Sequence, residues 1–238
     1  MRLPPWFLAV IGILLVWLLT ARLPWPARAM TAVLVGALPV MAVAQLRGLH
    51  DPRELPRMAA YASTIVTLWV LAGGCVLATV LTGYPARDVF LVWIGWWRTL
   101  AWAGGLTAAT VLFTIVLRRA GLRESDFVLH LLPVTRTERM TFAALSVTAG
   151  IAEELLFRCF LFATLTAATG SFAFAVVMAT VVFGWAHAYQ QAGGAVRAAT
   201  LGALLALPPV LTGSAIPSMI AHTLIDLVGG LWLRGRGK

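Results

Sequence analysis

Glu153 and Glu154 stand side by side in an apolar stretch, Ala-Gly-Ile-Ala-Glu-Glu-Leu-Leu-Phe-Arg-Cys-Phe-Leu-Phe, and Arg158 follows four residues later. His187 comes further on, then His222 and Asp226, each again in apolar surroundings. Asp51, Glu54, Asp88, Glu124, Asp126, Glu138, His50 and His130 fall between apolar stretches. Glu153, Glu154, His187, His222 and Asp226 fall within them, on three segments of the carboxy-terminal half. Carboxylates and imidazoles take and give protons near neutral pH, the requirement of general acid–base chemistry. Groups this costly to bury should face one another or water.

Spacing supports their convergence. Glu154 and Arg158 are i,i+4 with the acid first, the favourable order for a pair on one helix face. His222 and Asp226 share the same spacing, so one helix presents both on one face. Glu153 is rotated about 100° from Glu154, and the two acids cannot do the same job. The expectation is that Arg158 neutralises Glu154 and that Glu153 faces a cavity. Two His and one Glu suggest zinc, but the sequence has no HExxH and no helix with two His at ligand spacing. No metal or other cofactor is expected.

The elements that must hold these groups are membrane helices. The chain has 238 residues, 61% apolar and 11% charged, which suits a polytopic membrane protein rather than a soluble domain. Between Phe142 and Leu165, three ionisable groups cost ~9 kcal/mol at the centre of a bilayer, while the Leu, Ile, Val and Phe residues return about 5. That helix needs partners. Windows of about 20 residues give eight spans: Trp6–Ala21, Ala29–Leu46, Ala59–Leu81, Phe90–Leu117, Met140–Thr166, Phe172–Tyr189, Val196–Leu211 and Ser214–Leu233. The fourth could be two pieces, an interfacial Trp93–Trp102 segment and then a span. Pro208 and Pro209 shorten or bend the seventh. The expected fold is an all-α polytopic membrane bundle of about eight transmembrane helices.

Charge sets orientation. With the amino terminus in the cytoplasm, 13 basic residues lie on the cytoplasmic side: Arg2, Arg47, Arg53, Arg57, Arg118, Arg119, Arg123, Arg136, Arg139, Arg197, Arg234, Arg236 and Lys238. Three lie opposite: Arg22, Arg28 and Arg87. That bias puts both termini in the cytoplasm, and a bacterial inner membrane is the expected setting. Arg22 and Arg28 follow the first apolar core and a second begins at once, so the first helix is read as uncleaved. The net charge of +9 is spread through short loops, which argues against nucleic acid. The partners expected are the lipid bilayer and a membrane-associated protein or peptide. Cys75 and Cys159 fall inside spans and are read as buried thiols. The tryptophans near the fourth helix start read as an interfacial belt. Residues 1–117 form an amino-terminal four-helix region, 118–139 a cytoplasmic loop, and 140–238 a carboxy-terminal four-helix core.

Three motifs resemble one known pattern. Glu153-Glu154-Leu155-Leu156-Phe157-Arg158 resembles the EExxxR motif of the CAAX-processing and bacteriocin-processing (CPBP) intramembrane endopeptidases. Phe183-Gly184-Trp185-Ala186-His187 resembles their FxxxH, and His222-Thr223-Leu224-Ile225-Asp226 their HxxxN, with Asp in the last place. The resemblance implies a glutamate-dependent peptidase in which Glu153 and His187 activate a water and His222 and Asp226 steady the oxyanion. Glu154, Arg158 and Phe183 are expected to be structural supports. An ionised Asp226 cannot donate to an oxyanion, so it is expected to orient His222. Counting from Arg139 puts Glu153 ~20 Å along its helix, deeper than His187. The competing readings are a catalytically silent peptide-binding or immunity protein and a proton-coupled transporter. Against a transporter, no repeat relates the two halves.

Overall fold

The computed structural model describes residues 4–48, 55–121 and 124–232, and among these every regular element is a helix. Arg2, Arg53, Arg123, Arg234, Arg236 and Lys238, on which part of the charge bias rests, lie outside the described residues, as do His50, Asp51 and Glu54.

In chain order, α1 is Pro5–Leu19 and α2 is Trp25–Ala32, joined through a π turn to α3, Leu38–Gly48. Then come α4 (Arg57–Thr82), α5 (Trp96–Arg119), the short α6 (Asp126–His130) and α7 (Arg136–Glu154). A π turn at Leu155–Leu161 joins α7 to α8, Phe162–Thr169. The chain ends with α9 (Phe172–Ala186), α10 (Gln191–Leu205), α11 (Leu207–Thr212), α12 (Ile216–Leu227) and a π turn at Val228–Trp232. Five continuous stretches are long and apolar enough to cross a bilayer: Trp25–Ala44, Arg57–Thr82, Trp96–Arg119, Arg136–Thr169 and Ala188–Thr212. Pro5–Leu19, Phe172–Ala186 and Ile216–Leu231 are apolar but shorter. These eight units correspond to the eight windows read from the sequence. The α9 helix, at 15 residues, is about 22 Å long, less than the ~30 Å hydrocarbon core.

Local chemistry sets the boundaries. Thr135 and Glu138 form a reciprocal capping box at the start of α7. Gly83, Gly170 and Gly213 close α4, α8 and α11 in the left-handed conformation that favours glycine. The seventh span bends at Ala206, and Pro208 and Pro209 sit in the first turn of α11, where no backbone donor is lost. The fourth span differs from expectation. Residues 91–95 have no regular structure, and α5 is one unbroken helix from Trp96, so no separate interfacial helix forms. Gly95 at φ 90 marks its start. Phe90 is anchored instead, its carbonyl accepting from Ala215 N at 2.8 Å and its ring stacked on Phe172 at 5.6 Å. Likewise, the expected loop 118–139 contains α6 and the first turn of α7. Cys75 and Cys159 are free and buried.

The carboxy-terminal elements pack around α7, which lies between α4 and α12, with α5 on the far side of α12. Gly150 permits the α7–α12 approach: a Cβ there would lie 2.1 Å from Thr223 Oγ1 and 2.7 Å from Thr223 N. Thr223 adjoins His222, and Gly150 is one turn from Glu153. Gly150→Ala is therefore expected to lower stability by about 1–3 kcal/mol and to reduce activity by displacing His222. Gly104→Ala, on α5 with nothing within 4 Å of the added carbon, should do neither. Thermal melts and turnover of the two variants in detergent check this.

Basic residues gather at one end. Arg57 bonds the His130 carbonyl and lies 3.6 Å from Glu138, and Tyr61 bonds the Leu131 carbonyl. Arg118 Nε donates to both oxygens of Glu124 at 3.0 and 3.1 Å, and Arg197 Nη1 approaches the same carboxylate at 3.3 Å. Burial alone would raise the Glu124 pKa, but the Arg118 hydrogen bonds, a backbone hydrogen bond and the charges of Arg118 and Arg197 hold it below the ordinary value. With a lowered folded pKa, this contribution to stability is complete above the unfolded pKa and lost as pH falls through the folded one. The difference in melting temperature between wild type and Glu124→Gln should be constant above about pH 5 and shrink below about pH 4.

Candidate active site

The last turn of α7 delivers both glutamates. Glu154 is completely buried, and so, nearly, is Arg158 on the following π turn, at 2% exposure. Arg158 Nη1 donates to Glu154 Oε1 at 2.9 Å. Its Nη2 donates to the Gly202 carbonyl of α10 at 3.0 Å, and the guanidinium lies 4.5 Å from the Phe183 ring centre on α9. Gly202 makes room for this: a Cβ would meet Phe183 Cδ1 at 3.1 Å and Arg158 Nη2 at 3.4 Å. One cation thus ties α7, α9 and α10 together. Phe183 also packs edge-on against Phe157 at 5.0 Å and lies tilted against the His187 ring at 4.6 Å.

The two histidines arrive from different helices with the same polarity. His187 ends α9, and its Nδ1 donates to the Phe183 carbonyl at 2.8 Å. His222, buried on α12, donates from Nδ1 to Glu154 Oε1, also at 2.8 Å. A carbonyl and a carboxylate bonded to Arg158 both accept, which fixes the proton on each Nδ1. Each Nε2 therefore points inward, and each lies 3.9 Å from Glu153 Oε2. That oxygen is buried and has no hydrogen-bond partner among the described residues. A separation of 3.9 Å is too long for a direct hydrogen bond, while two groups sharing one water at about 2.8 Å each stand about 4 Å apart.

Asp226 is the outermost member, its side chain 32% exposed and its Oδ2 3.8 Å from His222 Nε2. That is beyond hydrogen-bond reach. The orienting bond expected of Asp226 comes from Glu154 on the neighbouring helix, so Glu154 serves Arg158 and His222 through one oxygen. The depth expectation is also corrected, since His187 and Glu153 lie level. The helix Arg136–Thr169 has 34 residues, about 51 Å, so its first turns extend beyond a bilayer and Arg139 is a poor origin for counting. Counted back from the turn at Gly170 that α8 and α9 share, Glu153 is about 24 Å away and His187 about 22 Å. Among the described residues no three His, Cys, Asp or Glu side chains form a metal-holding group.

Residues 135–228 match the family model described as Rce1-like, type II CAAX prenyl endopeptidase Rce1-like. This part of the chain is similar to that family. The match starts at the Thr135 cap of α7 and runs one residue past α12, so it takes in every residue of the site. No curated protein and no solved structure matches the chain. The match supports a membrane endopeptidase, and the apolar helices support an integral membrane protein.

Two contacts of the Rce1-like site have no signal in the sequence. The Gly202 carbonyl acts through backbone, which no side-chain pattern reveals. Tyr189, on the turn after His187, stacks its ring on His187 at 5.9 Å, and a lone aromatic past a helix end reads as packing.

Proposed function

We propose that this chain is an intramembrane endopeptidase that hydrolyses a peptide bond in a membrane-associated protein or peptide. Glu153 and His187 activate a water, and His222 assists from the opposite side. The observation that carries the reading is Glu153 Oε2 at 3.9 Å from both His187 Nε2 and His222 Nε2, with both Nδ1 atoms committed elsewhere. Glu153 takes the water proton as hydroxide adds to the scissile carbonyl, and that proton then passes from Glu153, directly or through the adjacent imidazole Nε2, to the departing amine. The water oxygen becomes part of the new carboxylate. The name of the matched family points to a substrate with a prenylated carboxy-terminal CAAX sequence.

Residues 140–238 are read as the catalytic core and 1–117 as the region that walls it. The site lies towards the end where Arg57, Arg118 and Arg197 gather, since Phe127 of α6 packs on Tyr189 at 5.7 Å. Arginine-rich ends face the cytoplasm, so substrate enters from there. The test is membrane proteomics of the native host carrying wild type or Glu153→Gln. Uncut precursors should accumulate in the variant; identical proteomes would exclude a peptidase.

A further inference from the structure

Asp226 has no part in the chemistry set out above. The bond that orients His222 comes from Glu154, and the Asp226 carboxylate stands 3.8 Å from His222 Nε2, too far for a hydrogen bond. It is also the most exposed of the three carboxylates around that imidazole.

The site holds more negative than positive charge. Arg158 neutralises Glu154 at 2.9 Å. His222 lies 2.8 Å from Glu154, 3.9 Å from Glu153 and 3.8 Å from Asp226 through its two ring nitrogens. Even counted as an imidazolium, it is one cation among three acids. His187 faces Glu153 at 3.9 Å and is neutral in the state that activates water. One negative charge is left over in apolar surroundings, where an unpaired carboxylate is costly. Donors are short as well. Glu153 Oε2 and Glu154 Oε2 are both buried without a hydrogen-bond partner among the described residues.

Asp226 stands where a substrate meets that charge. It lies one turn beyond His222, about 6 Å along α12. The π turn that follows reaches the arginine-bearing end. A Cβ on Gly230 would lie 2.1 Å from Phe142 Cε1, Phe142 packs edge-on against Tyr61, and Tyr61 bonds the Leu131 carbonyl just after α6. A chain entering from that end passes Asp226 before it reaches His222. A water shared by Glu153 and His222 stands within about 7 Å of the Asp226 carboxylate, a span that the side chain of a residue beside the scissile bond covers. A Lys or Arg there supplies both the missing charge and N–H donors.

We propose that Asp226 is a specificity-determining residue, its carboxylate taking the cationic side chain of a lysine or arginine that flanks the scissile bond of the substrate. This rests on the peptidase reading and leaves its chemistry unchanged, since no bond forms or breaks at Asp226. The requirement concerns one flanking residue, and the cysteine of a CAAX sequence can occupy the other side of the bond.

The test follows newly formed peptide termini in the native host carrying wild type, Glu153→Gln, Asp226→Asn or Asp226→Glu. Termini that depend on Glu153 should carry Lys or Arg beside the cut. They should form about tenfold or more slowly in Asp226→Asn, and Asp226→Glu should recover part of the rate. Equal termini in wild type and Glu153→Gln overturn the peptidase reading and this inference together. Glu153-dependent cuts with no basic residue beside them overturn this inference alone. The second measurement uses purified protein and synthetic peptides spanning one such cut, with Lys, Gln or Glu at the flanking position. Wild-type kcat/KM should favour Lys over Gln about tenfold or more and Gln over Glu, and in Asp226→Asn the three should draw level. A purely structural Asp226 would lower all three rates together and keep their ratio. That result, or a wild-type protein indifferent to the three peptides, contradicts the proposal.

Discussion

Glu153→Gln is expected to lower turnover by about 10²–10⁴-fold while the protein still folds and binds substrate. The substitution keeps shape and one carbonyl acceptor but removes the base. It should be benign structurally because Glu153 makes no hydrogen bond through its buried Oε2 among the described residues, and its approaches to His187 and His222 are long, 3.9 Å each. His187→Ala should fall in the same range, and the double variant should lose little more than either alone, because groups that activate one water act as a unit. KM should move little, since neither group is placed to hold the ground-state substrate. A silent peptide-binding relative would show no change in any cellular substrate. A transporter would lose proton-coupled flux in liposomes without any cleavage. Rate measurements on the purified single and double variants separate the three.

The second large effect is structural. Arg158→Met should destabilise the protein by about 3–5 kcal/mol. Arg158 is nearly inaccessible and meets a carboxylate, a backbone carbonyl and an aromatic face at once. Removing it leaves Glu154 buried with only His222 as partner, and the Gly202 carbonyl without its donor. Arg158→Lys should recover only part of the loss, because one ammonium cannot reproduce two divergent N–H bonds and a planar stack. Glu154→Gln should also destabilise, and in addition lower activity, since the same oxygen holds His222. Thermal unfolding in detergent, followed by size-exclusion profiles, gives the order. An Arg158→Met melt equal to wild type would contradict the assignment of this ion pair as the junction of α7, α9 and α10.

Much of this was legible in the residues themselves. Charge inside apolar windows located the site, because a bilayer penalises each such group heavily enough that Glu153, Glu154 and Arg158 stand out. The i,i+4 spacing gave the Glu154–Arg158 pair directly. What the sequence hid were relations between helices. Asp226 is four residues from His222, and local spacing suggested it as the orienting acid, yet Glu154 holds the Nδ1 from another helix. The depth of Glu153 was misjudged because Arg139 lies on turns that extend past the bilayer, a consequence of a helix running unbroken to Thr169. The start of α5 was misplaced because Val89, Phe90 and Leu91 are apolar enough to read as helix, whereas Phe90 is committed to Ala215 and Phe172.

The central claim is that one solvent molecule is shared by Glu153, His187 and His222. An experimental structure at a resolution that shows ordered water tests it most directly. An ordered water within about 3 Å of Glu153 Oε2 and both Nε2 atoms is the expected result. The three side chains splayed onto separate surfaces, with no solvent position common to them, would contradict it.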